Sequence, residues 1–342
     1  MIYMALLIVY ILIFGTTVVV GLYYSKSTLK LRKRIAKVDD TLNRLGSTVN
    51  NRDLIERVAI IGVIWVFTGL GSVAVYFVWV LQQKIELITL VAIFVFIYTT
   101  SVGPIILYDF LTYIYWLEFR FKQTNEFLRT LFSNPNQMTL TETRKITVRP
   151  VDQIPNGDYE AQTAKKLYLL QRMRFLRLDL CCIARTVNKI FDTQLMMLSS
   201  AALLYLTTFL YYVYVEIRKS HDSLHTNLEM IVISLVTAVT NSMQLVVASY
   251  SCEHVIQEAN KITEIIHVLS GHELDDEMNN EILQLSLQIT LRQTGTKFFR
   301  LNYTFLRGCM NFVMTYLVIV IQWGNSFELI TSFLLGNETA SF

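Results

Sequence analysis

Charged residues are absent from six long stretches of the chain, and these stretches dominate its pattern. Each has 20 to 26 residues and is rich in aliphatic and aromatic side chains. A helix needs about 20 residues to cross the hydrocarbon core of a bilayer, which is about 30 Å thick. We therefore predict an all-α membrane protein, a polytopic helical bundle with membrane-spanning helices at residues 1–25, 58–83, 87–108, 193–215, 230–252 and 308–327.

The polar segments between these stretches also carry a helical pattern. Apolar side chains recur at helical spacing among the charges, so the spanning helices are expected to extend beyond the membrane and pack into a second bundle. The pattern is present in residues 26–57, 109–132, 161–190 and 253–300. Gly46 and the Ser270-Gly271-His272 break are natural helix ends, and Gly103-Pro104 predicts a kink.

The composition agrees with a membrane protein. Apolar residues make up 53% of the chain and charged residues 17%, whereas soluble domains have about 45–50% and about 25%. The net charge of +3 is too small to indicate a nucleic-acid partner. Membrane lipid is the partner that this composition implies.

Basic residues predict the orientation of the chain. Alternate connections, residues 26–57, 109–192 and 253–307, hold 27 of the 30 Lys and Arg residues. Basic residues favour the cytoplasmic side of a membrane, so we expect a multi-pass plasma-membrane protein with an extracellular C-terminal tail, 328–342. Six spans would then leave the N-terminus outside as well, and a seventh helix ahead of residue 1 would resolve this.

No pattern for catalysis, metal binding or a cofactor stands out. The four cysteines and five histidines lack the spacing of a metal site, and the spans lack the buried charges that pumps need. We predict no enzyme, no cofactor and no metal. A receptor, a channel or a passive scaffold remains.

The last predicted span has a mixed face. Thr315, Ile319 and Gln322 follow i, i+4, i+7 spacing and share one side of the helix, with Tyr316 and Trp323 on the neighbouring stripe. Repeated around a symmetry axis, such a face can line a narrow pore with an apolar constriction. Thr315, Ile319, Gln322 and Trp323 are therefore the candidate pore and gate residues.

Aromatic and neutral polar side chains cluster in the outer halves of the other spans. They fit an apolar pocket with a few hydrogen-bonding groups, and equally an interfacial aromatic belt with interhelical hydrogen bonds. The candidate ligand-binding residues are Tyr76, Phe94, Thr208, Tyr211, Thr240, Asn241 and Gln244.

The segment Thr315–Trp323 resembles the signature of insect gustatory receptors, which is Thr-Tyr, five hydrophobic residues and Gln-Phe. Further segments resemble the same family in the same order, over about residues 26–323. They are Arg120-Phe121 with Asn125 and Leu128, Val187–Phe191, Glu258–Ile262 and Leu285–Gln288.

The resemblance implies a seven-helix receptor that forms a tetrameric ligand-gated cation channel. In this family the last helix lines the pore, the extramembrane helix ends anchor the subunits, and the ligand binds in the outer half of each subunit. The family motif maps to Thr315, Tyr316, Gln322 and Trp323, with Gln322 and Trp323 at the gate. It also implies a boundary between a ligand-binding part, 1–275, and an anchor and pore part, 276–327.

Two features depart from the family pattern. Trp323 replaces the usual Phe, and six spans are present where seven are expected. Within the family, the sugar-receptor branch typically has Glu where this chain has Leu317. The sequence therefore predicts a gustatory receptor subunit, a non-selective cation channel that opens for a small-molecule tastant other than sugar. It is expected to assemble as a homo- or heterotetramer with related receptor subunits. A G-protein-coupled-type receptor and a non-conducting truncated subunit are the alternatives.

Overall fold

The computed structural model describes residues 2–45, 52–81, 87–132, 159–219, 224–270, 276–293 and 303–338. All regular structure within these ranges is helical, which confirms the predicted all-α bundle. The helices are α1 (Ile2–Arg44), α2 (Arg52–Leu81), α3 (Leu87–Phe132), α4 (Tyr159–Lys219), α5 (Leu224–Ser270), α6 (Asp276–Gln293) and α7 (Tyr303–Glu338).

Four of the helices join a charge-free stretch to a polar extension without a break. They are α1, α3, α4 and α5. The longest, α4, has 61 residues and is therefore about 90 Å long at 1.5 Å per residue. Pro104 lies inside α3 without ending it. Because α5 ends at Ser270, the predicted break falls where the sequence placed it.

The remaining ends also follow local sequence signals, with one correction. α1 ends at Arg44, two residues before Gly46, and α6 begins with Asp276 and Glu277, whose charges favour a helix N-terminus. α7, however, continues to Glu338. Most of the segment assigned to a C-terminal tail is therefore helical.

Most of the described buried core lies in the polar extensions, and Leu195, Ala248 and Cys252 continue it into the charge-free stretches. α3 contacts α1, α2, α4 and α5, and α4 also contacts α6 and α7. The extensions pack together, as predicted, around apolar side chains that are almost fully buried. Examples are Leu31, Val38 and Leu42 of α1, Phe110, Leu117 and Phe121 of α3, Leu170, Leu180 and Val187 of α4, and Val255, Ile262 and Leu285 of α5 and α6.

The charge-free half of the bundle has the opposite character. Phe67 on α2 is 71% exposed, Leu22 on α1 is 73% exposed, and Phe312 on α7 is 53% exposed. A helix in water normally hides one apolar face, yet the stretch Leu54–Gly71 buries none of its length within the bundle. Such surfaces are suited to contact with lipid.

Two stretches with described side chains are long and apolar enough to cross a membrane, Leu54–Gly71 in α2 and Lys166–Val215 in α4. The other four charge-free stretches each include residues whose side chains lie outside the described part of the chain.

Candidate functional site

One side of α7 packs on α4 and α5, and Cys309 and Val313 are the buried ones among its described side chains. At 100° per residue, Thr315, Ile319 and Gln322 lie about 120° to 180° around the helix from Val313. All three are exposed. The candidate pore face is therefore turned away from the bundle of its own chain, as a face shared between subunits or facing lipid must be.

Thr315 and Tyr316 make local contacts along α7. Thr315 Oγ1 donates to Asn311 O over 2.9 Å, so its lone pairs remain available as acceptors. The ring of Tyr316 stacks on Phe312, with centroids 6.0 Å apart. The side chain of Trp323 lies outside the described residues, and its role stays a prediction.

The candidate ligand-binding residues lie at two different heights along the helix axes of the bundle. Gln244 on α5 is buried, at a point where three helices meet. A Cβ atom placed on Gly103 of α3 would lie 3.9 Å from Gln244 Oε1 and 2.8 Å from Cδ1 of Leu198 on α4. Thr208 and Tyr211 follow Leu198 by ten and thirteen residues, which places them about 15 and 20 Å further along α4.

The two threonine hydroxyl groups in this set are already engaged within their helices. Thr208 Oγ1 donates to Leu204 O, and Thr240 Oγ1 donates to Val236 O, each over 2.8 Å. They can therefore serve a ligand as acceptors. Thr240 and Asn241 lie within one turn of Gln244, whereas Tyr76 and Phe94 lie outside the residues with described side chains.

A buried polar cluster in the extensions ties α1 to α3. Arg120 is fully buried, and its Nε donates to Asp39 Oδ1 over 2.8 Å, while Nη1 donates to Gln123 Oε1 over 2.9 Å. Burial lowers the pKa of Arg120, and the charge of Asp39 opposes that shift. A buried guanidinium needs such partners, so the pair fixes the register of α1 on α3.

A second buried arginine ties α3, α4 and α5 together. Arg177 on α4 donates to Ala259 O and to Asn125 Oδ1 over 3.4 Å. Asn125 Nδ2 in turn donates to Glu258 O over 2.8 Å. Burial lowers the pKa of Arg177 to about 10, which still leaves the guanidinium protonated at neutral pH.

A family model described as 7tm Chemosensory receptor matches residues 1–326. The chain belongs to this family. The match covers α1 to α6 and α7 as far as residue 326. It agrees with the resemblance to insect gustatory receptors, and it identifies a membrane protein with a role in chemoreception. No curated protein matches the chain.

The motifs that carried the resemblance meet in this chemosensory receptor. Asn125 and Glu258–Ala259 are far apart in sequence, yet they form the two sides of the Arg177 cluster. Sequence reasoning missed Arg177 itself. Its signal was present, because the arginine shares an apolar helix face with Met173 and Leu180, both of them buried.

Metal binding finds no support in the described part of the receptor. Among those residues, no group of three or more His, Cys, Asp or Glu side chains is arranged to hold a metal ion.

Proposed function

We propose that this chemosensory receptor is a subunit of a ligand-gated, non-selective cation channel. It opens for a small-molecule tastant, and Leu317, at the position where sugar receptors typically have Glu, supports a tastant other than sugar. The subunits form a homo- or heterotetramer in the plasma membrane, with an extracellular C-terminus.

The observation that carries the proposal is the polar face of α7. Asn311, Thr315 and Gln322 are exposed, and all three point away from Val313, which faces α4 and α5. Neutral amides and hydroxyls are costly to leave in lipid. Four copies arranged around an axis would remove them from lipid and line a pore.

The charge on this face supports weak ion selectivity. Strong selection among cations requires rings of charged side chains or ordered carbonyl groups. Thr315, Ile319 and Gln322 carry no charge, so they suit a pore whose apolar constriction opens and closes with little discrimination between monovalent cations.

Assembly through α6 is supported by a second apolar stripe on that helix. Met278, Ile282 and Leu285 are buried against the bundle, yet Leu283 and Leu287 are 57% and 52% exposed. Because α6 contains no charge-free stretch, these leucines would face water in a monomer. Contact with a neighbouring subunit would bury them beside the pore helix.

Coupling from ligand to pore would pass through α4 and α5, since α7 packs on both. A ligand near Gln244 contacts these helices at the level of Gly103 and Pro104 of α3. It can open the channel only if it binds the open arrangement more tightly than the closed one.

Voltage-clamp recording of receptors normalised to surface labelling tests the proposal. Trp323→Ala should raise the basal current per surface receptor because it removes bulk at the constriction. Gln322→Ala should alter the ligand-evoked current with little change in surface expression. Phe67→Ala on α2 is the matched control, since it truncates a large exposed aromatic side chain on a lipid-facing surface.

The control separates a gate from a lipid anchor. If Trp323 anchors the helix in lipid, Trp323→Ala and Phe67→Ala should both reduce surface expression and leave the current per receptor unchanged. An unchanged basal and ligand-evoked current per surface receptor in both Trp323→Ala and Gln322→Ala would contradict the pore assignment.

A further inference from the structure

A cleft of about 290 Å³ lies between α2, α3 and α5. Arg57 and Ile60 of α2 form one wall, and Tyr115, Ser251 and His254 contribute to the others. The cleft is separate from the candidate pore face on α7.

The charge pattern places this cleft at one membrane boundary. Arg57 is the last charged residue before the stretch 58–83, and His254 follows closely on the stretch 230–252. The cleft therefore opens at the level of the phospholipid headgroups, on the side of the basic connections.

The acidic side chain of the cleft already has a partner. Glu118 Oε1 lies 3.0 Å from His254 Nδ1. Nδ1 is not aligned for a hydrogen bond, but Coulombic attraction at this distance does not require that alignment.

Arg57 supplies positive charge that the cleft does not neutralise. Its side chain is exposed and forms no ion pair within the described part of the chain. Tyr115 and Ser251 are linked to each other, with their oxygens 3.1 Å apart, and one hydroxyl proton of the pair is free to donate. These are the donors that a phosphate group accepts from.

The rim of the cleft is apolar. Ile60 is 52% exposed and Tyr250 is 55% exposed, and both line the cleft. A free phosphate ion would leave these side chains uncovered, whereas the glycerol and acyl portions of a lipid would cover them.

We propose that this cleft binds a phospholipid from the leaflet on the basic side, with its phosphate group at Arg57. Ile60 and Tyr250 contact the apolar part of the lipid, and the His254–Glu118 pair forms the polar wall. The inference rests on the membrane location of the receptor and is independent of ion conduction.

Native mass spectrometry of the purified full chain in detergent, titrated with phosphatidylglycerol, tests the site. Arg57→Gln should weaken the first lipid adduct about fivefold, the effect of one basic residue near a phospholipid surface. Arg57→Lys should keep most of the affinity. Arg52→Gln makes the same change on the same helix outside the cleft, and it should leave the first adduct unchanged.

Two further probes identify what is recognised. Diacylglycerol, which lacks the phosphate, should bind wild type and Arg57→Gln equally. Glycerol phosphate, which lacks the acyl chains, should give no adduct at the same concentration. Equal affinity of Arg57→Gln and Arg52→Gln for phosphatidylglycerol would overturn the site, and tight binding of glycerol phosphate would overturn its assignment to a lipid.

Discussion

Asn125 links the buried guanidinium of Arg177 on α4 to the backbone of α5. It accepts from Arg177 and donates to the backbone of Glu258, while Arg177 donates to the next carbonyl, Ala259 O. Because the pKa of Arg177 stays well above 7 despite burial, hydrogen bonding and not titration decides how well this cation is tolerated.

Asn125→Ala should lower the free energy of unfolding by about 2–3 kcal/mol, because it leaves a buried carbonyl and a buried guanidinium each short of one partner. Asn280→Ala is the control, since Asn280 is exposed on α6 and alanine favours the helix slightly. Thermal unfolding in detergent, followed by size-exclusion fluorescence, measures both. Equal melting midpoints for the two variants would show that the cluster contributes little.

At the scale of the helices, α3 and α4 pack closely at Gly103 and Leu198. Among the described glycines, Gly103 leaves the least room for a side chain. A Cβ atom there would lie 2.8 Å from Leu198 Cδ1, so a side chain at position 103 would force the Leu198 side chain to move or α3 and α4 to separate. The contact lies next to Pro104, where the backbone of α3 lacks one hydrogen bond.

Gly103→Val should destabilise the receptor by about 1–3 kcal/mol through overpacking. Leu198→Ala should relieve part of this cost, because it removes the atom that the new side chain meets. The double variant should therefore lose less stability than the sum of the single variants. Gly69→Val on α2 is the control, because the space around Gly69 is open. If the stability losses of Gly103→Val and Leu198→Ala add strictly in the double variant, the contact between these two positions is contradicted.

The helices themselves were largely predictable because their signals are local. Absence of charge defined the spans, and the break near Gly271 separated α5 from α6. Other features depend on how distant segments pack. The apolar face that Arg177 shares with Met173 and Leu180 indicated its burial, but its hydrogen-bonding partners on α3 and α5 depend on tertiary packing. The two heights of the candidate ligand-binding residues likewise follow from the position of Gly103 beside Leu198.

At the scale of the whole molecule, the receptor combines two kinds of surface. The extensions bury a core like that of a water-soluble protein, and the charge-free half exposes apolar side chains such as Phe67. The boundary between the halves coincides with the end of the charge-free stretches, so one face of the membrane must lie there. The basic residues then predict that the extensions are cytoplasmic.

An epitope placed after Phe342 should therefore be labelled on intact cells. The physical reason is the position of 27 of the 30 basic residues on the other side of the membrane. An epitope inserted after Gln137, in the basic connection between α3 and α4, is the matched control and should be labelled only after permeabilisation. The reverse pattern would favour the G-protein-coupled-type orientation.

The packing of α1 also has a consequence for biosynthesis. Leu31, Val38 and Leu42 belong to the same buried cluster as Leu170 and Leu180 of α4, which the ribosome reaches more than a hundred residues later. At a synthesis rate of about 5–20 residues per second, the apolar stripe of α1 remains without its contacts to α4 for on the order of 10 s. During that interval it is a binding surface for holdase chaperones, and slower translation through residues 45–170 should lengthen their occupancy and increase degradation of the nascent receptor.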